Sequence, residues 1–510
     1  MEPRALGWEV LCDSWLLTLN PILAPFTAEI RVLFSWLVAP CLEFLNRHCL
    51  SMIPTSDMTL VASLCKIMSA MLDELRIVLV KEAENARRAE DDSGAPPPAK
   101  LEPAKQVNAD GTEVAAPSSS SATLDDQYVD VPEQRGQWVE CMFLFSVVWS
   151  LGASTDTEGR AKFSAFLRDL LQGRCPADIL SFDAPRFGSR RPRAMFPSAS
   201  DDARKGEDQK DVYEFMYNRR AGNGNGAWVN FMTTIPNYVI PPESKFNDII
   251  VPTIDTVRTN WLLDLLITQG KHVLLAGATG TAKSVCANQK LLRGLDRSVY
   301  LPFMLAFSAR TSANQTQDII DGKLDRRRTG VLGPPPNKRC VIFVDDLNMP
   351  LREVYGAQPP IELLRQWMDY GGWYNTKSNS FTQIVDVQFV AAMGPPGGGR
   401  NPVTQRYLRH YNTICLTPYD DSSLKRIFGT ITRWWLEPFP AKVRSQMKPL
   451  VDATVKAYSV VCSQLLPTPT KSHYTFNCSQ HTDRTRMQTH SVASAQPALC
   501  ARSDLLRSVS

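Results

Sequence analysis

Eight residues, Gly277-Ala278-Thr279-Gly280-Thr281-Ala282-Lys283-Ser284, constrain this chain more than any other stretch. They follow an apolar run, Val273 to Ala276, that reads as a buried strand, and they precede a segment that reads as a helix. A glycine-rich turn in that context is a phosphate-binding loop. Backbone N–H groups at a helix start attract anionic oxygens. With ATP or ADP as the expected ligand, Lys283 is expected to neutralise the β-phosphate and, in ATP, the γ-phosphate, and Ser284 to ligate Mg2+. The loop, with Val285 behind it, forms the expected nucleotide site. A strand-to-helix turn with a chance Lys-Ser pair is the competing explanation.

One position departs from the usual pattern. Gly normally precedes the Lys because the backbone approaches the phosphates closely there, and this chain has Ala282. A methyl group crowds the β-phosphate, and if the position needs positive φ it adds roughly 1–2 kcal/mol of strain. The second motif is Val341-Ile342-Phe343-Val344-Asp345-Asp346, a buried strand ending in two carboxylates. Paired charges at the end of a buried strand are costly unless they meet a cation or a reacting water. Asp345 is the expected Mg2+ holder. Asp346 stands where a longer Glu more often polarises the attacking water. A third region, Gly394 to Pro402 followed by Arg406-Tyr407-Leu408-Arg409-His410, supplies two arginines. Arg406 and Arg409 are candidates to stabilise phosphate charge on a neighbouring module, with surface salt bridging as the plain alternative.

The rest of the chain narrows the class. At 510 residues it is long enough for several domains, and 44% hydrophobic residues allow a sizeable core. A net charge of +4 argues against a dedicated nucleic-acid binder. The 12 cysteines are scattered without metal-ligand spacing and read as reduced thiols. The start lacks a secretory signal pattern. The apolar stretch Trp8 to Leu45 is broken by Asp13, Pro21, Pro25, Glu29 and Arg31, so it reads as amphipathic helices rather than a membrane span. Pro54-Thr55-Ser56-Asp57 reads as a helix start. Leu60, Leu64, Ile67, Met68, Met71 and Leu72 follow on one apolar face, ahead of a charged, solvated end at 81–88. Residues 92–125 are Pro-, Ala- and Ser-rich and read as a disordered insertion. Residues 176–225 read as basic and irregular, and 226–250 as a connector. From Ile254 the pattern becomes α/β, with a helix to Thr268 and strands at Val273–Ala276, Phe303–Phe307, Val341–Val344 and Val387–Ala391. That alternation predicts a parallel sheet covered on both faces. Residues after Ser422 read as helical, and Cys478 to Ser510 as a disordered tail.

These motifs sit in strings that carry a more specific likeness. Val344 to Pro350, Glu353 to Trp367, Thr311 to Thr316 and the Gly394 to Pro402 loop resemble the third AAA+ module of axonemal dynein heavy chains. Val251-Pro252-Thr253-Ile254-Asp255-Thr256 resembles the approach to that module, which lies beside the adenine in AAA+ proteins. Pro40 to Phe44, Pro54 to Asp57 and Phe145 to Ser150 resemble the back end and lid of the second module.

The resemblance implies an AAA+ P-loop core with a parallel sheet and a helical lid, preceded by a mostly helical region from a neighbouring module. It divides the chain into 1–91, the back end of the second module; the 92–125 insertion; 126–240, its lid and connector; 241–421, the nucleotide-binding core of the third module; 422–477, a partial lid; and 478–510, a divergent tail. It places Val251 and Pro252 with the loop residues in the nucleotide site. It also implies a regulatory site in a microtubule motor of the cytoplasm, cytoskeleton and ciliary axoneme. The implied partners are the other AAA+ modules of the ring and the intermediate and light chains, with microtubules met only through parts not in this sequence. No membrane or nucleic-acid partner is implied. Turnover by this chain alone is expected to be negligible. Asp346 is short, Gly394 stands where a polar water-positioning residue is usual, and a lid arginine expected after Asn477 is replaced by the tail, as in a truncated gene model or a splice form. The alternative is a structural ring fragment that does not bind nucleotide. An unrelated P-loop enzyme such as a kinase does not account for the family strings.

Overall fold

The computed structural model describes residues 7–93, 133–193, 195–197, 211–222, 226–235, 238–241, 243–244, 249–397 and 399–465. Residues 94–125 of the expected insertion, 466–477 of the expected lid and the 478–510 tail lie outside them.

The first part is helical: α1 (Glu9–Leu17), α2 (Thr27–His48), α3 (Asp57–Ser93), α4 (Glu133–Ser150), α5 (Thr157–Leu171) and the single turn α6 (Ala184–Phe187). Along α2, Ile30, Leu33, Phe34, Leu37, Val38, Cys41, Leu42 and Leu45 are buried at helical spacing, and Trp36, Pro40 and Phe44 are buried as well, so the helix is enclosed over more than one stripe. Pro21–His48 is long and apolar enough to cross a bilayer by composition, yet half of it is buried, and α2 packs on α4 and α5. The six apolar residues expected on one face of α3 are all buried. Asp156 caps α5 by accepting the Gly159 N–H at 2.8 Å. A hairpin, β1 (Phe215–Asn218) and β2 (Ala227–Asn230), closes this part, where the sequence suggested irregular chain and a connector.

The α/β part begins at α7 (Ile254–Thr268), the expected span, whose start is held by a capping box between Thr253 and Thr256. There follow β3 (Val273–Gly277), α8 (Lys283–Gln289), β4 (Tyr300–Ala306), α9 (Ala313–Asp321), β5 (Asp325–Arg328), β6 (Val331–Gly333) and β7 (Arg339–Asp345). Then come α10 (Pro359–Tyr370), β8 (Gly372–Tyr374), β9 (Phe381–Ile384), β10 (Val387–Met393), α11 (Gln405–Leu408) and β11 (Asn412–Leu416). The chain continues in α12 (Asp421–Trp435), α13 (Ala441–Arg444) and α14 (Met447–Gln464).

Five strands form a parallel sheet in the order β11-β3-β10-β7-β4. Four are the strands read from sequence. β4 starts three residues earlier than expected because Pro302 is tolerated: β4 lies at the sheet edge, where a missing N–H costs no ladder bond. The fifth strand, β11, was not foreseen. Its sheet buries both faces. Leu274, Ala276, Ile342 and Val344 face the side covered by α10 and Trp373. Val273, Leu275, Val341 and Phe343 face α7 and the N-terminal helices, in one continuous core. A second, four-stranded sheet, β5-β6-β9-β8, was also unforeseen.

The outer edge of β11 is covered by the N-terminal helices. Ser63 Oγ donates to Asn412 Oδ1 at 3.0 Å, and Lys66 Nζ donates to the carbonyls of Arg409 and His410 at 3.2 and 3.1 Å. Arg160, on α5, donates to the Cys415 carbonyl, with its guanidinium 5.0 Å from the centre of the Tyr213 ring. Burial of that guanidinium, with Arg258 nearby, pushes its pKa down to about 10. An edge covered in this way is closed to pairing with another chain. Arg160→Ala should therefore lower the stability of the full chain by about 2 kcal/mol, the worth of a charge-assisted buried hydrogen bond. A denaturant midpoint that does not move would show that the guanidinium only fills space.

Candidate functional site

The strand order decides where the chemistry collects. β10 lies between β3 and β7, so the loop after β3 and the carboxylates after β7 converge over the C-terminal end of β10. Gly277 ends β3 hard against β11: a Cβ there would lie 2.6 Å from the Leu416 carbonyl oxygen. The loop then turns through Gly280, at φ +88°, and enters α8 at Ala282, which has φ 58° and ψ 22°. The position does need the left-handed conformation, so its methyl group carries the strain of roughly 1–2 kcal/mol.

Lys283 is almost fully buried, and its Nζ donates to the carbonyls of Gly277 and Ala278 at 2.8 and 2.6 Å. Burial, with the Arg400 guanidinium nearby, pushes its pKa down to about 8 against the pull of Asp345 and Asp346. Ser284 Oγ donates to Asp345 Oδ2 at 2.7 Å, so the hydroxyl after the loop and the carboxylate after β7 meet. Two hard oxygen donors side by side suit a partly hydrated Mg2+. Asp346 stands in the left-handed region at φ 51°, which an Asp tolerates, and its carboxylate accepts from Arg400 Nη2 at 3.2 Å.

These groups line one cavity of about 410 Å3. Its polar end holds Thr279, Gly280, Lys283, Ser284, Asp345, Asp346 and Arg400, and Ala282 and Val285 also line it. Its apolar end holds Ile249, Ile250, Val251, Tyr419 and Ile427. A pocket of that size with one charged end and one apolar end has the shape of a nucleotide's chemistry.

The sequence profile described as P-loop containing dynein motor region matches residues 238–419, and that described as dynein heavy chain AAA lid domain matches 30–93 and 119–233. Dynein axonemal heavy chain 3 of Mus musculus is 38% identical over 479 residues, which is 94% of this chain and 10% of that protein. Dynein axonemal heavy chain 12 of Mus musculus is 38% identical over 488 residues, 94% of this chain and 13% of that protein. Dynein axonemal heavy chain 1 of Homo sapiens is 37% identical over 490 residues, 94% of this chain and 10% of that protein. The chain belongs to the dynein heavy chain family. It spans about a tenth of the length of the curated relatives it matches.

Within this dynein segment the site residues read from sequence divide into groups. Val251, Thr279, Gly280, Ala282, Lys283, Ser284, Val285, Asp345 and Asp346 line the cavity. Gly277, Ala278, Thr281 and Pro252 support it from behind. The first two accept from Lys283, Thr281 Oγ1 donates to the Ala278 carbonyl at 2.9 Å, and the Pro252 carbonyl accepts from Arg426 Nε on α12 at 2.9 Å. Arg406 and Arg409 are absent from the lining and exposed. Arg409 Nη2 pairs with Asp369 at 2.6 Å, the surface salt bridge that was the plain alternative for it. Sequence reasoning passed over Arg400, although it ends the glycine-rich run already singled out. It also passed over Tyr419 and Ile427, whose signal is weak because neither belongs to a motif.

The strain at Ala282 has a measurable sign. Ala282→Gly removes the left-handed penalty but gives the unfolded chain more freedom, worth about 0.4–1 kcal/mol. The net expectation is a stabilisation between zero and about 1.6 kcal/mol. Thermal unfolding of the chain without nucleotide tests it, and a lower midpoint in the variant would contradict the strain.

Proposed function

We propose that this chain is a nucleotide-binding regulatory segment of an axonemal dynein heavy chain. It comprises the end of the second AAA+ module and most of the third. The observation that carries the reading is the hydrogen bond from Ser284 to Asp345, which joins the phosphate loop to the acidic strand end at the place where Mg2+ is needed. ATP or ADP is the ligand, with Mg2+ held by Ser284 and Asp345. When bound, the metal neutralises phosphate charge. Lys283 turns from its own loop carbonyls to the phosphates, and Ile250, Val251, Tyr419 and Ile427 take the base. Through the whole heavy chain, the segment belongs with the other modules of the ring and the intermediate and light chains. It works in the cilium axoneme, on microtubules reached by parts elsewhere in the motor.

Hydrolysis at this site is weak in the proposal. Asp346 is one methylene shorter than Glu and is engaged by Arg400, and Gly394 has no side chain to orient a water. Losing one such polar group typically costs about 10²–10³ in rate. Phosphate release by the purified chain should stay far below about 1 s⁻¹, the low end of ordinary turnover. Turnover near that value, abolished by Asp345→Ala, would overturn the regulatory assignment.

Titration of the full chain with a fluorescent nucleotide and Mg2+ is expected to saturate. Lys283→Ala should weaken binding at least about 10-fold, the loss of a charge-assisted contact. Unchanged affinity in that variant would remove the phosphate-loop assignment. The left-handed Ala282 favours a second reading, a structural ring element that does not bind nucleotide. Under it the chain shows no saturation, whereas under the first reading Ala282→Gly binds more tightly than the parent.

A further inference from the structure

The fourth strand of the sheet, β10, ends at Met393, and the next residue is Gly394, where nothing projects into the cavity. That space is nonetheless filled. A Cβ built on Gly394 would lie 1.6 Å from Arg400 Nη1 and 2.6 Å from its Cζ. The guanidinium of a residue six positions later therefore lies across the glycine, at the spot a side chain of that residue would take. The bare backbone at 394 is the condition for Arg400 to be there.

The intervening segment is built to return it. Gly397 and Arg400 exchange backbone hydrogen bonds at 3.0 and 3.1 Å, closing a tight turn. Gly397 and Gly399 hold φ of +122° and +87°, which side chains resist. Beyond the turn, the Asn401 N–H donates to the Asn348 carbonyl at 3.0 Å and Asn401 Nδ2 to the Pro350 carbonyl at 2.9 Å. Asn348 Nδ2 donates to the Gly394 carbonyl at 2.9 Å, tying the start of the segment to the same anchor. The backbone on both sides of the turn is fixed, so the guanidinium is placed rather than free to search. What it touches at its tip is lightly held: one Nη2 contact with Asp346 at 3.2 Å.

Charge completes the argument. Lys283, Arg400, Asp345 and Asp346 line the cavity together, two cations and two carboxylates. The diphosphate part of a nucleotide is met by the loop and Lys283. A third phosphate would extend toward the acid pair, where Arg400 adds a second cation to Lys283. An arginine fork suits phosphate oxygens and can engage two at once.

Resting on the nucleotide-binding reading above, we infer that Arg400 is the residue by which this site distinguishes a nucleoside triphosphate from a diphosphate. It leaves Asp346 to engage the terminal phosphate. Gly394, read from sequence as a missing polar group, is the opening that admits it.

The test is a titration of the full chain, with Mg2+, using a non-hydrolysable ATP analogue and ADP in parallel. Arg400→Ala is expected to weaken the analogue about 10- to 100-fold, as for loss of a charge-assisted contact, and to change ADP less than about threefold. Gly394→Ala keeps the charge but puts a methyl where the guanidinium lies. It should shift the analogue in the same direction, with ADP again little changed. Thermal unfolding of each variant shows whether it is folded. Equal weakening of both nucleotides would make Arg400 a structural clamp on Asp346 and overturn the inference, as would no weakening of either. If the parent chain binds neither nucleotide, the nucleotide-binding reading itself falls and this inference with it. If the parent binds both and Arg400→Ala retains the parent's preference, only the role of Arg400 falls.

Discussion

A parallel sheet needs cover on both faces and on any edge that is not paired, because its backbone groups and apolar side chains have nowhere else to go. In this chain that need is met from two directions. One face takes α10 and the small second sheet, and the other takes α7 together with helices that precede the sheet by more than a hundred residues. Arg160, Ser63 and Lys66 reach from those helices to β11 and the turn before it. The sheet in turn fixes the site. Once β10 is threaded between β3 and β7, the phosphate loop and the acid pair can only meet above its end.

Part of the local backbone strain lies at the site, while Asn337, Asn379 and Asp386 hold positive φ away from it. Ala282 and Asp346 both have positive φ, and they stand on the two sides of the cavity. Strained residues persist where surrounding structure over-determines them. Here Gly277 against Leu416 on one side, and the Asn348 and Asn401 hydrogen bonds on the other, supply that determination. Buried Lys283, hydrogen-bonded to its own loop, belongs to the same economy: its charge is held among carbonyls and carboxylates rather than in water.

Much of the α/β part was legible because its signals are local. Val273 to Ala276 and Val341 to Val344 are unbroken apolar runs, as strands buried on both faces must be, and α7 begins at its own capping box. What was missed depends on partners distant in sequence. β11 is five residues long and follows the basic stretch that drew attention to itself, and its place is set by pairing with β3. β5 is Asp325-Arg326-Arg327-Arg328, all exposed, with no alternation to betray a strand. Arg400 was hidden because its importance lies in the absence of a side chain at Gly394 and in a turn that no periodicity records. In sequence, Arg406 and Arg409 read as serving a neighbouring module, and α11 and the turn after it leave both exposed and outside this chain's own cavity.

The continuous core between the N-terminal helices and the sheet has a mechanical meaning. A bundle and a sheet that share one packed interior cannot rotate against each other without opening that interior, so they move as one lever. The last helices are attached differently. α12 and α14 pack mainly on each other through Leu424, Phe428, Val451 and Val455, and a bond from Arg426 to the Pro252 carbonyl ties them to the approach segment. Residues 417–420, between β11 and α12, join the two packings. Tyr419 lies within that joint and, with Ile427 of α12, lines the cavity, so one wall of the cavity belongs to the last helices.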